Sequence, residues 1–273
     1  MRALLLVLAS LLLVLGASAC GSKTAAETTV SPEAVQLAAS RTTDAGTYKA
    51  DMTASMDVSG QSVEMSGTGA FDANDQRGHM SFTTSVAGQD LDMEMVYALP
   101  AVYMRYPAGL LPGMPEGKPW VKLDLEKLGR QQGLDFGQLV QAGQSDPTQG
   151  LQYLKGAKDI KAVGDEEVRG VQTTHYTGVV DLHALTEEDP ALKESVDQMI
   201  AQTGISSIPV EVWIDEDGLV RRLKQTMRGA AGGQGIPVDM TTTTELYDFG
   251  TDVGVEEPPA DQVIDFQELL GQG

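Results

Sequence analysis

Cys20 is the single cysteine of this chain and the side chain best placed to do chemistry. A thiol can attack a substrate, ligate a metal or accept a lipid, and without a second cysteine it closes no intramolecular disulfide. The histidines His79, His175 and His183 stand apart, with no H-x-x-x-H or H-x-H spacing to hold a metal. His175 falls in a predicted strand and reads as a structural imidazole. No G-x-S-x-G elbow, S-x-x-K or phosphate-binding loop occurs. Asp215-Glu216-Asp217-Gly218 has the acidity of a calcium loop but lacks its ligand spacing and its glutamate at the twelfth position. A hairpin turn accounts for it. The pairs Glu166-Glu167 and Glu187-Glu188 read as solvated surface, since no spacing brings two carboxylates together. These residues argue against an enzyme and predict neither a metal nor a cofactor.

What surrounds Cys20 gives the thiol a different use. Arg2 is followed by an apolar run at residues 3–15, then by the small residues Gly16-Ala17-Ser18-Ala19. This is the three-part layout of a secretory signal. The cysteine directly after the small residues resembles the bacterial lipobox, which implies acylation of the thiol and cleavage between Ala19 and Cys20. The lipobox usually has leucine three residues before its cysteine, and Ala17 stands there instead. An ordinary signal peptide with an A-x-A site would cut at the same bond and leave a free thiol. A retained membrane helix needs about 20 apolar residues, more than this run supplies. Two acyl chains anchor firmly where one does not. The predicted organisation is a signal peptide at 1–19, a lipidated N-terminus and flexible tether at 20–30, a folded domain at 31–266 and a tail at 267–273.

Composition narrows the partners. The formal net charge is −20, and removal of residues 1–19 takes away Arg2 and no acidic residue, so the mature chain is one unit more negative. Such a surface argues against nucleic acid and against attraction to anionic lipid. The tether is expected to hold the acidic body clear of the leaflet. Hydrophobic residues make up 41% of the chain, enough for a core, yet aromatics are only 5%, so Ala, Val, Leu and the 12 methionines carry the apolar area. Methionine is flexible and suits irregular apolar surfaces.

The elements that would position these groups follow from periodicity. Ser31-Pro32-Glu33 starts a helix, with serine at the cap and proline in the first turn. From Tyr48 the apolar period becomes two and persists through four segments that end near Tyr97, separated by short polar turns. That pattern predicts a four-strand antiparallel meander with one covered face. Met52, Met65, Met80 and Met93 each fall on the apolar parity. Short strands are expected at 102–105 and 120–123, short helices over 123–156, strands at 160–164 and 171–181, and a helix over 186–203. Strands at 209–214, 219–227 and 237–247 complete the pattern, with a flexible loop at 229–235. About eleven strands with grouped helices predict an α+β fold, a single curved antiparallel sheet covering the helices.

The C-terminal half carries a resemblance. Gly170-Val171-Gln172-Thr173-Thr174-His175-Tyr176, Pro209-Val210-Glu211-Val212-Trp213-Ile214-Asp215, Gly218-Leu219-Val220-Arg221-Arg222, Tyr247-Asp248-Phe249-Gly250 and Pro258-Pro259-Ala260-Asp261 occur in that order. Together they resemble the LppX/LprG-like actinobacterial lipoproteins, whose fold is similar to the LolA and LolB lipoprotein carriers. The match spans most of residues 34–263, with its sharp motifs after Gly170. It implies a half-open barrel wrapped over helices, with apolar space between them for acyl chains. The strand faces mix small residues, which leave room, with methionine, which adapts. Met52, Ala54, Met65, Gly69, Met80, Phe82, Met93 and Met95 are the expected lining of such a space. The expected protein is a monomeric lipoprotein, anchored on the extracytoplasmic face of a membrane, that binds an acylated lipid or glycolipid. The competing reading is an envelope sensor or scaffold lipoprotein whose core is filled.

Overall fold

The computed structural model describes residues 28–29, 31–58, 61–86, 88–111, 113–132, 148–188, 190–231 and 236–270. Two-residue strand β1 (Thr28–Thr29) precedes helix α1 (Pro32–Asp44), which has Pro32 in its first turn as the sequence predicts. The alternating segment folds as β2 (Thr47–Val58), β3 (Gln61–Asp72), β4 (Arg77–Val86) and β5 (Gln89–Ala98). Short strands β6 (Ala101–Arg105) and β7 (Trp120–Asp124) follow, then helix α2 (Leu125–Gln132). Helix α3 (Gln149–Gln152) and the 3₁₀ turn Tyr153–Gly156 lead into β8 (Ala157–Val168) and β9 (Val171–Asp181). Helices α4 (Leu182–Glu188) and α5 (Lys193–Thr203) precede β10 (Ser207–Asp215), β11 (Val220–Ala231) and β12 (Ile236–Tyr247). Strand β13 (Val263–Asp265) and helix α6 (Phe266–Leu270) close the described chain.

All the strands join one open sheet in the order β1-β8-β9-β10-β11-β12-β2-β3-β4-β5-β6-β7-β13. Every pairing is antiparallel except β13 with β7. Its main core gathers side chains from strands far apart in that order, among them Ile160 of β8, Val212 of β10, Ala50 of β2 and Val102 of β6. Strands lie about 4.8 Å apart, so a flat sheet would hold β8 and β6 too far apart for one core. Curvature and the helices laid on the inner face bring them together. Helix α1 buries Val35, Ala38, Ala39 and Thr42 in this core. The Thr42 hydroxyl donates to the Ala38 carbonyl at 2.7 Å and accepts the Val220 amide at 2.8 Å. It thereby satisfies a buried N–H beside the irregularity in the β10–β11 pairing.

Departures from the sequence reading have local causes. The eleven predicted strands correspond to β2 through β12, whereas β1 and β13 are too short for a period to register. Strand β8 runs on through the exposed acidic residues 165–167, where no apolar parity marks it. The predicted 186–203 helix is two helices. Asp181 starts the first by accepting the His183 and Ala184 amides at 2.9 and 3.3 Å, and Pro190 lies at the break. Residues 229–231, expected in a loop, are the end of β11. A side chain at Gly229 would sit 2.7 Å from the Thr203 carbonyl oxygen, so glycine there admits the end of α5. Much of the predicted 123–156 helical region, residues 133–147, lies outside the described residues.

Candidate functional site on the inner face of the sheet

Register places the eight expected lining residues on one face. Met52, Gly67, Phe82 and Met93 form one cross-strand row from β2 to β5. Ala54, Met65, Thr84 and Leu91 form the next row toward the strand ends. In the opposite direction Ala50, Gly69, Met80, Met95 and Met104 form a third. Beyond it Tyr48 stacks on Phe71, with ring centres 5.4 Å apart, and Tyr97 and Phe249 flank the pair. This is the face that α1 covers.

Burial varies along these rows. Tyr48 and Ala50 are fully buried and Met80 is 2% exposed. Met52, Phe82, Met95, Met104 and Met227 are partly buried against the core. Met65, Leu91, Met93 and Met240 are partly buried as well, while Ala54 in the row of Met65 and Leu91 is buried. One end of the inner face is therefore sealed by aromatic rings and α1, while the other presents methionines that are only half covered. Tyr97 and Tyr106 hydroxyls donate to the Met95 and Met104 sulfurs. Met104, Met227 and Met240 were missed as lining residues, although their own strands' parity marks them. Thr242, Thr244 and Gln225 also lie on this face, opposite Ala54, Met52 and Thr242 in register, and give it a polar interruption.

The small residues correct one expectation. A Cβ built on Gly69 would lie 2.4 Å from the His79 carbonyl oxygen, and one on Gly67 would lie 2.8 Å from the Phe82 ring. On Gly178 it would meet the Ile160 Cδ1 at 2.4 Å. These glycines leave no room: neighbouring groups already fill the space over them. Of the pockets bounded by described residues, one of about 320 Å³ includes Ala54 and Met65 of the expected lining beside outward hydroxyls such as Thr53, Ser66, Thr83 and Thr243, and one of about 350 Å³ sits between Arg169 and Tyr247. Cys20 and Ala19 lie outside the described residues.

The outer face carries a polar network that sequence reasoning did not find. Rings of His175 and Trp213 stack at 4.1 Å. Glu166 accepts the Trp213 indole N–H at 2.8 Å and lies 3.1 Å from His175 Nδ1. The indole bond first, and then the imidazole, hold the Glu166 carboxyl below the usual carboxylate range despite some desolvation. His175 Nε2 is 3.1 Å from Glu211, yet that contact is not aligned as a hydrogen bond. The network joins adjacent strands and supplies no nucleophile or open coordination sphere. Among the described residues, no three His, Cys, Asp or Glu side chains gather to hold a metal. Asp215 makes a turn, as expected, accepting the Leu219 amide at 2.8 Å and pairing with Arg221 at 2.6 Å.

Comparison with known proteins supplies context. No protein-family model matches the chain. A 31.2 kDa Streptomyces griseus protein encoded between rplA and rplJ is 34% identical over 58% of this chain and 51% of its own length. A Streptomyces coelicolor protein described as a lipoprotein is 29% identical over 56% of this chain and 45% of its own. The chain thus spans about half the length of the curated relatives it matches. Among solved structures, Mycobacterium tuberculosis lipoprotein LppX is 14% identical, with 83% of this chain and 100% of that one covered and a TM-score of 0.45. LprF from Mycobacterium bovis is 15% identical, with 85% and 100% covered and a TM-score of 0.47. The chain resembles the LppX-type actinobacterial lipoproteins. No helix among the described residues is long and apolar enough to cross a membrane.

Proposed function

We propose that this chain is a lipoprotein, cleaved between Ala19 and Cys20 and acylated on Cys20, that holds a lipid-like apolar ligand on the half-covered end of its inner face. It acts on the extracytoplasmic side of the membrane as a binding or carrier protein and performs no catalysis. The observation that carries this reading is the change in burial on one face, from Met80 at 2% exposure to the only partly buried Met65, Leu91 and Met93. Apolar area left near water gains about 25 cal/mol per Å² when a ligand covers it. Acyl chains have no fixed shape, and methionine side chains adapt to them. The lipobox-like segment before Cys20 and the Streptomyces relative described as a lipoprotein support the anchor. Against the ligand stand the filled spaces over Gly67, Gly69 and Gly178, which favour a solid-cored sensor or scaffold.

Methionine oxidation separates the two. Peroxide should oxidise Met65 and Met93 more slowly in protein purified with its lipid than after delipidation, while Met80 stays slow in both states. Peptide mass spectrometry reads the rates. Equal rates for Met65 and Met93 in the two preparations would support the solid-cored reading.

A further inference from the structure

Three adjacent strands place methionine at the same register on the inner face. Met227 of β11 lies opposite Met240 of β12, and Met240 lies opposite Met56 of β2. The next strand, β3, continues this row with Val63. Strands ordinarily favour β-branched and aromatic residues, so three methionines side by side are not what strand propensity selects. All three are partly buried, and Met227 packs against the main core. Adjacent strands lie about 4.8 Å apart, so the two outer side chains start about 10 Å from each other. The sheet curves toward this face, which tilts them together. Each side chain has three rotatable bonds with which to bring its sulfur over Met240. Among the described residues, tyrosine hydroxyls donate to the Met95 and Met104 sulfurs, whereas no donor reaches the sulfurs of Met56, Met227 and Met240. The lone pairs of these three stay open.

A thioether is an uncharged, polarizable donor. Hard cations such as Mg(II) and Ca(II) take oxygen ligands instead, whereas a soft cation of low charge suits sulfur. The net charge of −20 favours a cation over an anion. From the register and the open sulfurs, we infer that Met56, Met227 and Met240 form a site for Cu(I), held through their three sulfur atoms. The inference does not depend on a lipid ligand. If the methionines only fill space beside the core or contact an acyl chain, their sulfurs share no common occupant.

The test uses the full chain with Cys20→Ala, so that no thiolate competes for the ion. The protein is delipidated and carries carbon-13 at the methyl groups of its 12 methionines. Ag(I), which has the charge and closed d shell of Cu(I) and is stable in air, is added first, and Cu(I) under ascorbate second. The methyl resonances of Met56, Met227 and Met240 should shift together and saturate at one equivalent of either ion, while those of Met80, Met95 and Met104 stay in place. Met240→Leu, which nearly conserves side-chain volume, should remove the shift from the other two methyls with the fold retained. Met56→Leu should do the same from the end of the row. Absence of any shift at one equivalent, a shift spread over all the methionines alike, or saturation that survives both substitutions overturns the site. Lipid that co-purifies with the native protein is measured separately, so failure of either reading leaves the other standing.

Discussion

Gly69 and Gly178 show how far a small residue's meaning depends on its neighbours. Both lie on the inner face of the sheet, where the sequence reads small residues as room for a ligand. Over Gly69 the nearest obstructing atom is a backbone oxygen at 2.4 Å, whereas over Gly178 it is the side-chain terminus of Ile160, with the Lys158 carbonyl oxygen farther off at 3.1 Å. Gly69→Ala should therefore destabilise the fold by about 1–3 kcal/mol, as overpacking does, and Gly178→Ala by distinctly less. Denaturant midpoints at unchanged slope would check the order, and the reverse order would refute this account of the packing. The methionines were legible in the sequence because period-two parity alone fixes which face a strand residue takes. Occupancy above a glycine was not legible, because it depends on where His79 and Phe82 lie on the next strand.

At the scale of elements, the β8–β9 hairpin departs most from its sequence reading. Its tip is a tight turn with Arg169 and Gly170 at positive φ, 51° and 81°, as a two-residue hairpin turn requires. Arg169 reaches past β10 and β11 to Glu245 of β12, at 2.7 Å, and to Asp51 of β2, while lying 4.0 Å from the centre of the Tyr247 ring. Glu245 also accepts from Arg222 at 2.6 Å. Burial alone would raise the Glu245 carboxyl, but the Arg222 and Arg169 bonds outweigh it and hold it below the usual carboxylate range. A carboxylate lowered on folding stabilises the fold above its unfolded pKa, and that contribution is lost as pH falls through the folded value. Glu245→Gln should thus lower stability near neutral pH and lessen the loss on acidification below the normal glutamate range. Thermal unfolding across that range checks it, and an unchanged acid slope would contradict it. The strands β2 to β12 were legible mainly because most of them alternate. The hairpin's reach across the sheet was not, since it depends on twist and on ion pairs between residues up to 118 positions apart.

For the whole molecule, the account joins a lipid anchor to a curved sheet whose inner face is sealed at one end and half covered at the other. The α+β class and the single antiparallel sheet could be read from the alternation of period-two and helical segments. The change in burial along the inner face could not, because it is set by where α1 and the aromatic cluster of Tyr48, Phe71 and Tyr97 sit across the strands. The claim on which the functional reading depends is that the half-covered end holds an apolar molecule. Native mass spectrometry of the mature protein, extracted mildly from membranes, tests this most directly. The account predicts a non-covalent adduct of lipid mass, in addition to the thioether-linked acyl groups on Cys20, that is released by activation in the gas phase. A spectrum with the acylated protein alone, under conditions that preserve its folded charge states, would contradict it.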